Sequence, residues 1–253
     1  MEARSRTIKA TVAYDGSNFC GWQVQENDRT VQGEIESALA KLHKQPIRIQ
    51  GAGRTDSGVH AAGQVFSFKT DIGSMAASQF VPALNANLAP DIRVLAAAEV
   101  SPSFHARFSA VARTYRYRWY VDEARPPVCR GAARAGHRPD IRRLNRLAAP
   151  LLGVHDFSTF TIPSEPSQNR TREVQTLSFF PSGALLVMEV RATAFLWRMV
   201  RLIAGTLMEL DRDGGDPPEV ARRLAACDHA EAGTIARAEG LTLHSVSYPR
   251  EER

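Results

Sequence analysis

Apolar and polar residues alternate over residues 7–14, the period of a half-buried strand, and the run stops at the loop-forming Asp15-Gly16-Ser17. Beyond it the period changes. Val31, Ile35, Ala38, Leu39 and Leu42 recur at helical spacing, and Thr30 has the side chain to cap their first turn. Residues 47–50 and 64–69 read as strands joined by a glycine-rich loop. Ser74 is placed to cap a helix running to about residue 87, and residues 92–100 read as a strand. The order is β-α-β-β-α-β.

The second half repeats it. Residues 114–121 carry a strand pattern, and Ile141, Leu144, Leu147, Ala148 and Leu151 mark a helix behind Asp140. Residues 174–180 and 184–192 predict a hairpin across Pro181-Ser182-Gly183. A long helix over 194–210, a shorter one after Pro217-Pro218 and a strand over 241–248 complete the unit. The expected fold is therefore α+β: two ferredoxin-like (βαββαβ) halves, residues 1–108 and 109–253, with mainly antiparallel sheets. The arginine-rich, proline-containing stretch 125–139 is expected to be an exposed loop.

Composition narrows the function classes. The formal charge of +5 and pI of about 9.4 favour an anionic partner, and the cationic excess is mostly arginine, which suits phosphates and planar bases. Cys20, Cys129 and Cys227 are widely separated, with no Cys-x-x-Cys pair, and imply neither a disulfide framework nor a zinc site, which fits a reducing cytoplasm. The seven histidines lack helical pairing, so metal catalysis has little to stand on, and His60 and His105 read as structural or surface residues. No membrane association is expected: the most apolar run, 192–210, is interrupted by Arg198, Arg201 and Glu209 and reads as a buried helix.

The densest chemistry lies in Gly53-Arg54-Thr55-Asp56-Ser57-Gly58-Val59-His60-Ala61. A carboxylate two residues from a guanidinium, on a loop, is poised to stay ionised and act as a nucleophile. Familiar glycine-rich motifs do not fit. Asp56 stands where a dinucleotide-binding fingerprint needs its third glycine, no Gly-Lys-Ser/Thr follows, and Thr55 and Val59 occupy the outer glycine positions of a nucleophile elbow around Ser57. A second informative run is Arg113-Thr114-Tyr115-Arg116-Tyr117-Arg118-Trp119-Tyr120. It puts Tyr115, Tyr117 and Trp119 on one strand face and Arg116, Arg118 and Tyr120 on the other. Such a strand either stacks bases and grips phosphates or simply buries its aromatics in a core. Phe104-His105-Ala106-Arg107-Phe108 adds another basic, aromatic segment, and Arg201, flanked by Val200, Leu202 and Ile203, is a cation expected to be partly buried.

Taken together, Tyr14-Asp15-Gly16-Ser17-Asn18-Phe19-Cys20-Gly21-Trp22-Gln23, the 53–61 block, residues 104–110, the Arg-x-Tyr-x-Tyr of residues 113–117 and Phe195-x-x-x-Met199-Val200-Arg201 resemble bacterial tRNA pseudouridine synthase A in content and order, over nearly the whole chain. The resemblance implies two α+β halves flanking a basic cleft, a homodimer, no cofactor or metal, and a tRNA substrate modified on the 3′ side of the anticodon arm, at positions 38–40. It implies Asp56 as catalytic nucleophile, Tyr115 as the ring packed on the target uracil, Arg54 as the residue helping to displace the base, and Arg201 as the cation beside the carboxylate. Arg107 and Arg113 are the further candidates for gripping the RNA backbone. Ser57 stands where many relatives have alanine, and Leu196-Trp197-Arg198 departs from relatives with polar or histidine residues there. The chemistry agrees with these parts: breaking N1–C1′, turning the base and joining C5 to C1′ needs a carboxylate that can bond and leave, and a stacking face that retains the free uracil.

Two other readings fit parts of the sequence. A non-catalytic RNA-binding protein with two ferredoxin-like units would use the basic and aromatic residues but not Asp56. A glycoside or nucleoside hydrolase would need a second carboxylate, for which Asp15 is the nearby candidate, although its setting suits a turn.

Overall fold

The computed structural model describes residues 5–121 and 131–249. The chain forms two compact units, residues 1–111 with 243–253, and residues 112–242. The sequence division at 108/109 kept the C-terminal residues in the second half; the structure returns 243–253 to the first unit.

In the first unit, β1 (Arg6–Tyr14) runs antiparallel to both β3 (His60–Thr70) and β4 (Ile92–Val100). The strand order is β4-β1-β3, followed by the part of β10 (Leu241–Ser247) that belongs to this unit. At Gly63 the chains come close: a Cβ there would lie 2.7 Å from the His244 carbonyl oxygen. β1 alternates buried and half-buried positions, whereas β3, flanked on both sides, is buried almost throughout. Helix α1 (Val31–His43) starts as expected, with Thr30 Oγ1 accepting from Gly33 N–H and Val31, Ile35, Ala38 and Leu39 facing inward.

Two expectations for this unit need correction. The strand over 47–50 shrinks to β2 (Gln50–Gly51), because Ile49 N–H donates to Glu36 of α1 at 3.1 Å and does not join a ladder. Ser74 caps nothing. A 3-10 turn, Ala77–Gln79, leads into α2 (Phe80–Asn85), which begins within one turn of Pro82, a residue tolerated only near a helix start. Asn85 then ties the end of α2 to β4 through both backbone groups of Val94, each at 2.8 Å.

In the second unit, β5 (Ala112–Tyr120) pairs antiparallel with β9 (Leu185–Ala192), β9 with β8 (Thr171–Ser182), and β8 with β7 (Gly153–Asp156). The hairpin turns at Gly183-Ala184, so Pro181 and Ser182, expected in the turn, are strand residues. β7 is an added strand not expected from the pattern. So is β6 (Ala133–Arg134), which pairs parallel with β5 inside the stretch read as a loop; residues 122–130, including Cys129, lie outside the described residues. Helix α3 (Ile141–Ala148) is capped by Asp140, which accepts from the N–H groups of Arg142 and Arg143. Helix α5 (Pro217–Ala226) carries Pro217 at its first position and Asp216 as cap.

Helix α4 (Met199–Asp213) starts five residues later than the expected 194. Arg198 takes a left-handed conformation, φ 61°, and the residue before it is held elsewhere: Trp197 N–H donates to Glu165 at 2.6 Å and its carbonyl accepts from Thr161 at 3.0 Å. Those bonds replace the helical ones. α4 is buried along most of its length, and no described helix is long and apolar enough to cross a membrane.

Candidate active site

The Asp56 loop joins β2 to β3 and is closed at its base on β3. Ala52 N–H donates to Val65 at 2.8 Å, and buried Gln64 donates to the Gly53 carbonyl at 2.8 Å. Its tip is a turn in which Val59 N–H donates to the Asp56 carbonyl at 3.1 Å and Gly58 takes φ 78°. Residues 14–22 form the other wall. Trp22 N–H donates to the Thr55 carbonyl at 3.0 Å, Ser57 Oγ to the Phe19 carbonyl at 3.2 Å, and the buried hydroxyls of Tyr14 and Thr55 bond at 2.8 Å.

The glycines of this wall are dictated by the loop. Gly21 sits at φ 87°, and a Cβ on it would lie 2.8 Å from the Thr55 carbonyl oxygen and 3.3 Å from the Asp56 carbonyl carbon. A Cβ on Gly16 would collide with the Val59 carbonyl. The two most distinctive sequence blocks are thus two halves of one clamp. With Thr55 buried, its neighbours Arg54 and Asp56 turn outward, Arg54 exposed and Asp56 half-buried. His60 is an anchor, its Nδ1 3.1 Å from both Gly16 N–H and Asp15 Oδ1. Asp15 shapes a turn by accepting from Ser17 N–H and Oγ, which commits the carboxylate that the hydrolase reading needed.

Beneath the clamp lies an ion pair that sequence reading missed. Arg29 grips Asp91 through both nitrogens, at 2.7 and 2.9 Å, lies 4.1 Å over the Phe19 ring, and its carbonyl accepts from Cys20 N–H. The hydrogen bonds from Arg29 hold the Asp91 carboxyl below its ordinary value of 3.8, against the opposing effect of partial burial. A carboxyl with a depressed folded-state pKa stabilises fully above the unfolded value and loses that contribution as pH falls through the folded one. Melting temperature should therefore drop as pH is lowered below about 4, and Asp91→Asn should remove that part of the slope while lowering stability at neutral pH. Parallel slopes for the two proteins would disprove it.

The second unit carries Tyr115, Arg113 and Arg201. On β5 the expected alternation holds: Tyr115, Tyr117 and Trp119 are buried, while Arg116 and Arg118 are half-buried and committed to Glu189 and Thr242, each at 2.7 Å. Tyr117 is a core residue, its hydroxyl donating to the Arg237 carbonyl at 2.7 Å. Burial pushes that phenol well above its ordinary range, with the Arg201 charge opposing. Tyr115 stands edge-on to Phe195, centroids 5.0 Å apart, a contact with no periodic signal in the sequence. Arg113 donates to the Thr193 carbonyl at 2.8 Å.

Arg201 lies in the first turn of α4 and is half-buried, as its apolar neighbours suggested. Its Nε donates to the Ala236 carbonyl at 2.7 Å, and its own carbonyl accepts from Ala236 N–H at 3.1 Å. The same strap crosses Gly205, where a Cβ would collide with the Thr234 carbonyl. Arg201 is therefore positioned by backbone on two sides. Arg107 is exposed, on the turn before β5. Among the described residues no group of three or more His, Cys, Asp or Glu side chains could hold a metal ion.

Residues 10–109 and 147–249 match the family model described as tRNA pseudouridine synthase. The chain is also 45% identical over 259 residues to tRNA pseudouridine synthase A of Treponema denticola, covering 99% of this chain and 96% of that protein. The chain belongs to the tRNA pseudouridine synthase A family. The enzymes of that name from Bacillus pumilus and Aeromonas hydrophila are 45% and 43% identical, over 95% and 96% of this chain and 98% and 91% of theirs. The match to the family model takes in both walls of the clamp around Asp56 and the first turn of α4.

Proposed function

We propose that this chain isomerises uridine to pseudouridine in the anticodon stem-loop of tRNA, at positions 38–40, with Asp56 as nucleophile. The observation that carries the proposal is the clamp: two glycine-dependent segments and a buried Tyr14–Thr55 hydroxyl pair fix the backbone on both sides of the half-buried Asp56. Asp56 attacks either uracil C6 or the sugar C1′ and the N1–C1′ bond breaks; the base turns and C5 bonds to C1′, which displaces the aspartate from C1′ or precedes its release from C6, while C5 loses its proton and N1 gains one. Tyr115, backed by Phe195, supplies the face that retains the detached uracil. Arg201, preset by Ala236, is the cation assigned to the nucleophilic carboxylate. Arg54, exposed beside Asp56, helps displace a base that costs a few kcal/mol to unstack, and Arg107 and Arg113 contribute to gripping the backbone.

The same reading takes both halves as ferredoxin-like, supported by the β4-β1-β3 order with β2 beside β3, and the working form as a cytoplasmic homodimer that needs no cofactor. The test is to incubate the protein with unmodified tRNA transcripts and map pseudouridine by chemical adducts that stop primer extension. Stops confined to positions 38, 39 and 40 are expected. Stops elsewhere would refute the positional assignment, and none at all would favour a binding protein.

A further inference from the structure

Phe108 is three-quarters exposed, the most exposed of the large apolar residues described, yet it sits on a turn held by several hydrogen bonds. Ala106, fully buried, anchors the turn: its N–H donates to Ser67 Oγ at 3.3 Å and its carbonyl accepts from the Tyr248 hydroxyl at 2.7 Å. His105 Nδ1 then accepts from the N–H groups of both Arg107 and Phe108, at 3.1 and 3.3 Å. Ser109 closes the turn, its N–H donating to the His105 carbonyl at 2.9 Å and its hydroxyl accepting from His105 N–H at 3.1 Å. A floppy loop would let the ring fold back onto apolar surface. This one holds it out in water, which is unfavourable for an apolar side chain with no further role.

The surroundings define the ligand. The imidazole of His105 lies 4.4 Å from the Phe108 ring, tilted by 33°, and the Arg107 guanidinium lies 5.6 Å from the same ring. At the root of the turn, Lys9 lies over Phe104 and Tyr248 at 5.7 and 5.5 Å. An aromatic face framed by cations matches an unpaired nucleobase with its phosphate, and the chain's charge of +5 matches a polyanion. We propose that Phe108, with Arg107 beside it, is a stacking site for an unpaired base of the tRNA substrate, separate from the uracil face assigned to Tyr115. This inference rests on the reading of the chain as acting on tRNA.

The test compares Phe108→Tyr, Phe108→Leu and Phe108→Ala in the full chain. Dissociation constants for unmodified tRNA are read by filter binding, oligomeric state by sedimentation, and isomerisation by adduct mapping. Stacking predicts that leucine and alanine weaken tRNA binding about tenfold while tyrosine stays within about twofold of the parent protein. Sedimentation and melting temperature should not change, because the ring covers no core. Leucine binding as well as phenylalanine would overturn the proposal, since apolar area survives that change and the π face does not. A shift in oligomeric state that tRNA affinity follows would also overturn it, assigning Phe108 to a subunit contact. If the parent protein binds tRNA but forms no pseudouridine, the isomerase reading fails while the stacking site is still decided by the affinities.

Discussion

Asp56→Ala should abolish tritium release from tRNA labelled at uracil C5, with turnover lower by at least about 10⁴-fold, the scale on which removing a nucleophile acts. The loop should survive the change. Its backbone is held by Trp22 N–H on the Thr55 carbonyl, by the Tyr14–Thr55 hydroxyl pair and by Gln64 on Gly53, none of which uses the Asp56 carboxylate. A normal melting temperature and near-normal tRNA affinity should therefore accompany the loss. Asp56→Asn makes the same point with less change of volume, because an amide hydrogen-bonds but does not act as a carboxylate nucleophile. Equal tritium release by the parent and either variant would rule out Asp56 as the bond-forming group. Free uracil among the products would turn the reading towards hydrolysis.

Gly21→Ala should lower turnover by about 10²-fold or more and also destabilise the protein by about 2–4 kcal/mol. Two penalties combine. The backbone at Gly21 sits at φ 87°, which an L side chain rarely adopts, and the new Cβ would press on Thr55 O, Ser57 N and the Asp56 carbonyl carbon. All three contacts are backbone atoms of the loop, so relief must come from moving Asp56 itself. A carboxylate displaced by even 1 Å from its reacting geometry loses much of its advantage. The diagnostic result is a fall in kcat that persists well below the variant's melting temperature, with tRNA affinity little changed. A variant that melts early but turns over normally when cool would show that Gly21 matters only for folding.

The sequence carried the local rules well where backbone and side chain agree. Thr30 and Asp140 cap the helices they were expected to cap, residues 92–100 form β4 without adjustment, and β5 buries the tyrosine face that its alternation marked. It failed where a distant partner takes over a backbone group. Glu36 claims the amide of Ile49, and Glu165 and Thr161 claim those of Trp197, which removes most of one strand and the first turn of one helix. The site shows the same division. Asp56 and Arg201 stood out because charged residues among glycines or apolar neighbours are uncommon. Tyr14–Thr55, Arg29–Asp91 and Tyr115–Phe195 join residues 41, 62 and 80 positions apart, separations at which no periodicity operates.

Because residues 243–247 complete the first unit beside β3, that unit stays unfinished until the ribosome has passed the whole of the intervening unit. Until then the β3 edge near Gly63 waits as an open template, able to recruit the wrong strand from another nascent molecule. The intervening unit has all its own strands and helices in hand by residue 242 and is free to fold first. Synthesis order and assembly order are therefore reversed between the two: the half that holds Asp56 is begun before the intervening unit and sealed after it.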